Sequence, residues 1–142
     1  MDPLQHILAV IRAATRMYQT NHWRVSGVGF YGNHQLLNRL YDETFAAEDA
    51  FGERLVGYFG PGAVEPVGQM DAVLTWCRRW AAIKDPMKQS LQIANDVSDV
   101  LAKGYSQMKE SGHMTLGLDD LIMATSNQVD EHIYLLQQAT GR

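Results

Sequence analysis

The sequence predicts an all-α protein: a four-helix bundle with a short extra helix in its central connection. Three observations lead there. Breaker residues cluster at Ser26-Gly27-Val28-Gly29, within Gly57–Gly68, and at Ser111-Gly112 with Gly117 just beyond. The long segments between them carry apolar residues three and four apart, and no stretch alternates with the period of a strand.

The first segment places Leu4, Ile7, Leu8, Ile11, Ala14 and Tyr18 on one stripe, and Asp2-Pro3 is a helix start. The second runs from about Phe30 to Val56 with Leu37, Tyr41, Thr44, Phe51 and Leu55 in line. The third opens at Asp85-Pro86, a cap followed by proline, and carries Leu91, Ala94, Val97, Leu101 and Tyr105. The fourth runs from about Leu118 to Ala139 with Leu121, Met123, Ala124, Val129, His132, Ile133 and Leu136. Gln69–Ile83, with Met70, Val73, Leu74, Trp76, Cys77 and Trp80, reads as a short amphipathic helix in the crossover. Met17, Met108 and Met123 are expected in the core.

A chain of 142 residues suits one domain, 1–142, with a single core. Hydrophobic residues at 46% against 20% charged exclude a disordered chain. A net charge of −4 gives no general attraction to nucleic acid or anionic membrane. No apolar run reaches the roughly 18 residues of a membrane span, and the N-terminus lacks the features of a secretory signal. The single cysteine, Cys77, has no partner for an internal disulfide and is expected as a small packed residue. A soluble, cytoplasmic protein is expected.

Chemistry concentrates between His22 and Glu53. His34, Asn38, Asp49 and Glu53 fall within roughly a 100° sector of the second helix, a polar strip beside the apolar stripe. Each alone would suit a solvated helix face. Phe45 lies in the same sector as His34 and Asp49, so this face is not expected to be purely solvent-facing. His34 and Asp49 stand about 22 Å apart along a straight helix, whereas ligands to one ion lie ~2 Å from it. They cannot share an ion within one chain. A two-fold axis near the middle of the helix would bring His34 of one subunit towards Asp49 and Glu53 of another, and would make two such sites. Imidazole with carboxylate suits Fe²⁺, and zinc or manganese would fit the same ligands.

The pattern His22-Trp23-x-Val25-x-Gly27-x-x-Phe30-x-x-x-His34, followed by Asp49-x-x-x-Glu53, resembles the signature of Dps proteins, miniature ferritins of the ferritin-like superfamily. Asp130-Glu131-His132-Ile133-Tyr134-Leu135-Leu136 is similar to that family's last helix. The resemblance implies a homo-oligomeric cage, a dodecamer built from two-fold dimers, that oxidises Fe²⁺ with peroxide or O₂ and stores the iron. It implies His22 and His34 as ligands from one subunit, Asp49 and Glu53 from its partner, and Trp23 as an aromatic beside the site. The family usually has aspartate where this chain has Asn38. An amide brings no charge and is a poorer iron ligand, so a weakened second iron position is expected. Asp119, Asp120 and Asp130 would line acidic pores that draw in Fe²⁺, although Asp119 and Asp120 also suit a helix N-terminus.

Ordinary ferritins carry Glu-x-x-His within each bundle. The match here, Glu110 to His113, is broken by Ser111-Gly112. His6 and His132 are expected as packed or surface residues, with an interface or pore role open for His132. Family members that bind DNA commonly use a lysine-rich arm. None is evident, so DNA binding is not expected. Two other functions stay open: a metal-binding cage with weak ferroxidase activity, and a DNA-associated stress protein.

Overall fold

The computed structural model describes residues 1–141. Its elements are α1 (Pro3–Arg24), α2 (Phe30–Phe59), a 3-10 turn (Pro61–Val64), α3 (Pro66–Trp80), α4 (Pro86–Glu110) and α5 (Leu116–Ala139). The short links between α1 and α2 and between α4 and α5 make two antiparallel hairpins. The long passage from α2 to α4 contains α3, which packs against α1. Chain 1–141 therefore forms a four-helix bundle with one extra helix in the crossover.

Local chemistry sets the boundaries. Asp2 Oδ1 accepts from the Leu4 amide at 2.8 Å, and the Gln5 side chain accepts from the Asp2 amide at 2.8 Å, a complete capping box. The side chain of Asp85 caps α4 and that of Thr115 caps α5. The Thr115 cap starts the last helix at Leu116, two residues before the expected start. The second helix runs through Gly57 to Phe59, one turn beyond the expected end, and stops where Gly60 takes φ 82°. A single glycine weakens a helix by only about 1 kcal/mol, too little to end a packed one.

The core follows the stripes closely. Leu4, Ile7, Leu8, Ile11, Ala14 and Tyr18 of α1 are buried among Leu37, Leu40, Phe51, Leu55, Ile93, Val97, Leu101 and Leu136. Met108 is buried and Met17 packs against the core. Met123 is not core: it is 60% exposed. It follows Ile122, which faces inward, and a one-residue step turns a side chain by about 100°. Ala124 is also exposed, while Leu121 is half-buried. Cys77 is half-buried, and burial raises its thiol pKa. No helix among the described residues is long and apolar enough to cross a membrane.

Candidate metal centre

The chain leaves α1 at Val25 and enters α2 at Phe30. Gly27 (φ 81°) and Gly29 (φ 77°) lie in the left-handed region, where a side chain would be strained, and allow this tight reversal. The reversal brings the last turn of α1 against the first turns of α2.

His22 and His34 meet there. Their rings stack at 3.6 Å between centroids, inclined by 15°. Nδ1 of His22 lies 2.7 Å from the carbonyl oxygen of His34, and Nδ1 of His34 lies 2.7 Å from the carbonyl oxygen of His22. A carbonyl only accepts, so each Nδ1 is the donor. In the neutral ring the lone pair then resides on Nε2, the nitrogen left for a metal. Histidines that ligate metals characteristically hold their other nitrogen in this way.

Aromatic rings complete the surroundings. Phe30 stacks on His34 at 5.1 Å, and Tyr41 meets His22 edge-on at 5.4 Å. The Tyr41 hydroxyl donates to Asn38 Oδ1 at 2.9 Å, and Asn38 Nδ2 donates to Asp42 at 3.4 Å. Asn38 thus stands one turn from His34 with its oxygen already engaged. Trp23 points outward, 67% exposed.

Asp49 and Glu53, one helical turn apart, line an open groove of about 720 Å³ with Arg12, Glu48 and Gly52. Both are exposed. Glu48 beside them is half-buried, with Oε1 buried and unpartnered. Burial raises its pKa, and the charges of Arg12 and Arg16 oppose the rise. The histidines do not line this groove. Among the described residues no three His, Cys, Asp or Glu side chains gather as metal ligands. Within one chain the imidazole pair and the carboxylate pair stand apart.

The other titratable candidates fall elsewhere. Asp119 lies in the first turn of α5, partly buried, with Oδ1 unpartnered. Asp120 and Asp130 are exposed on the same helix. Glu110 ends α4 and His113 follows the turn, so they share no helix face. His6 is exposed. His132 is 2% exposed, with Nε2 at 3.0 Å from Glu43 Oε1. Arg39 bridges Glu43, at 3.1 Å, and Glu131. Burial holds the His132 pKa below 6.5, against the pull of Glu43. Burial tends to raise the Glu43 pKa, but His132 and Arg39 together bring it below the usual carboxylate range.

The sequence places Tyr41 only on the apolar stripe, and it shows neither the reciprocal carbonyl bonds nor the Glu43–His132 pair. Tyr41, three residues after Asn38, offered the one local signal, since i,i+3 side chains touch on a helix.

Comparison with known proteins agrees with this architecture. Residues 1–141 match the ferritin-like domain. General stress protein 20U of Bacillus subtilis (strain 168) is 27% identical over 125 residues, covering 84% of this chain and 82% of that protein. Dps from Thermosynechococcus elongatus superposes with a TM-score of 0.80 at 17% identity, covering 99% of this chain and 88% of that one. Dps from Microbacterium arborescens in its high iron form superposes with a TM-score of 0.79 at 16% identity, covering 99% and 91%. The chain belongs to the ferritin-like family and has the helical-bundle fold of Dps structures.

Proposed function

We propose that this chain is a Dps-like miniature ferritin, which oxidises Fe²⁺ at sites shared between two subunits and stores the iron within a homo-oligomeric cage. The observation that carries this reading is the His22–His34 pair, whose Nδ1 atoms are both committed to carbonyls. Two preset Nε2 donors make half of a coordination sphere. Asp49 and Glu53 supply the other half from a second copy related by a two-fold axis. General stress protein 20U and the high iron form of Microbacterium Dps support the assignment to iron handling under stress.

In this reading Fe²⁺ is the substrate. The imidazoles bind it without adding charge, and the carboxylates favour Fe³⁺ over Fe²⁺ because hard anionic oxygens stabilise the more highly charged ion. Each Fe²⁺ gives up one electron; peroxide accepts two and leaves as water. Asp119, Asp120 and Asp130 would draw Fe²⁺ towards the shell as acidic pore residues. Dodecameric assembly and a cytoplasmic location belong to the same proposal.

Subunit complementation tests it. One variant lacks both histidines (His22→Ala, His34→Ala); the other lacks both carboxylates (Asp49→Ala, Glu53→Ala). Each alone should be inactive. A mixed dimer regains one of its two sites, so random reassembly should restore about a quarter of wild-type ferroxidase activity. No recovery in properly assembled mixtures would sink the shared site.

Asn38 favours a second reading, a cage that binds metal with little turnover. Its oxygen accepts from Tyr41 and carries no charge. Stoichiometric metal uptake without Fe²⁺ oxidation would select it over the first.

A further inference from the structure

The end of α1 is anchored by a buried polar cluster that hydrogen-bonds to neither histidine ring. Asn21, Gln89 and Ser90 are at most 1% exposed. Asn21 Nδ2 donates to Gln89 Oε1 and Ser90 Oγ, both at 2.9 Å, and lies 3.2 Å from the Pro86 carbonyl. Gln89 Nε2 donates to the carbonyls of Trp80 at 2.9 Å and Ile83 at 3.1 Å. Ser90 Oγ donates to the Pro86 carbonyl at 2.7 Å. One amide of α1 is thereby tied to the end of α3, to the link that follows it, and to the first turns of α4.

Burying an amide costs free energy unless its partners are all present, and an apolar side chain would fill the same space. What the amide adds is direction. Asn21 directly precedes His22, and its own carbonyl accepts from the Val25 amide at 3.0 Å, closing the last turn of α1. The helix ends at Arg24, so the His22 carbonyl lacks the intrahelical partner it would have mid-helix. That carbonyl is the one that holds Nδ1 of His34. A displacement of about 1 Å would take a 2.7 Å bond out of hydrogen-bonding range.

We propose that Asn21 is a positioning residue for the metal centre: its buried amide, held by Gln89, Ser90 and Pro86, fixes the last turn of α1 and so the carbonyl that orients His34. The inference rests on the reading of His22 and His34 as metal ligands. Asn21 acts through His22 and contacts no metal. Ser90, on α4, acts through Asn21.

Co²⁺ titration of the assembled protein tests this, with the d–d absorption band as the spectroscopic readout. Asn21→Ala should raise the Kd about 10- to 100-fold, the usual range for residues that orient ligands, and should alter the band. Ser90→Ala removes one partner without touching α1 and should raise the Kd several-fold; it carries the test if Asn21→Ala fails to fold. Leu101→Ala, in the far half of α4, should lower Tm while leaving Kd and band unchanged. Wild-type affinity and spectrum in folded Asn21→Ala or Ser90→Ala would overturn the positioning role. If His22→Ala leaves the Co²⁺ band of the parent protein unchanged, the ligand reading itself fails and takes this inference with it. A crystal structure of the Asn21→Ala protein should show the His34–His22 bond lengthened or lost; both 2.7 Å bonds intact would also overturn the proposal.

Discussion

His22 and His34 orient each other: each ring donates through Nδ1 to the other's backbone carbonyl at 2.7 Å, with the rings stacked between. The arrangement is mutual, so removing either ring frees the carbonyl that held it and leaves the remaining ring one contact poorer. Single and double alanine variants should therefore be non-additive. The double variant should be less destabilised than the sum of the singles by about 1–2 kcal/mol in a denaturant-based cycle. Strict additivity would mean that the two rings are held independently.

Asn38 is the position where restoring charge is simplest. In Asn38→Asp the Tyr41 hydroxyl can still donate to the side-chain oxygen that it now meets at 2.9 Å. The new carboxylate should raise the number of metal ions bound per subunit and increase the Fe²⁺ oxidation rate several-fold. Calorimetric stoichiometry and stopped-flow absorbance check the two effects. If neither moves, Asn38 lies outside the metal's reach.

The Glu43–His132 pair predicts a pH dependence of stability. Burial holds His132 below its ordinary value of 6.5, so the folded state binds fewer protons than the unfolded chain between the two values. This contribution is complete above pH 6.5 and declines as pH falls through the lower folded value. Glu43, also lowered, loses its contribution further down, below its ordinary 4.5. Tm should fall on acidification from pH 7, with two separable phases. His132→Gln should remove the upper phase and weaken the lower one, because His132 is the main partner that lowers Glu43. An unchanged slope in that variant would reject the assignment.

Gly104 on α4 is a packing contact. A Cβ there would stand 2.6 Å from Ile7 Cδ1, and Ile7 is fully buried. Helix propensity favours alanine by about 1 kcal/mol, but overpacking costs roughly 1–3 kcal/mol. Gly104→Ala should therefore lower stability in urea unfolding. Ile7→Val deletes the nearest atom and should recover part of the loss in the double variant. A more stable Gly104→Ala would show that Ile7 can move aside.

The elements were legible in the sequence because a helix writes its packing into a three-and-four spacing of apolar residues. Leu4 to Tyr18 and Leu91 to Leu101 are buried where that spacing puts them. Met123 is the exception, since an apolar side chain one step off the stripe turns outward. Helix ends were less legible. Gly57 pointed to a stop, but one glycine costs too little to end the helix, which runs on to Phe59.

His22, His34, Asp49 and Glu53 stand out in the sequence by residue type, and the helical rise alone separates His34 from Asp49 within a chain. Sequence by itself determined the all-helical class, the stripes of the core, and the impossibility of an ion shared by those two residues. Only the tertiary structure decided how the histidines are held, which nitrogen of each ring is engaged, and that Tyr41 engages Asn38. Helix spacing is a one-dimensional periodicity that a chain must carry in its own order. Hydrogen bonds between α1 and α2, and between α1 and α4, depend on tenths of an ångström between segments that no local pattern links. The Asn21–Gln89–Ser90 cluster, spanning 69 residues of sequence, is the clearest case.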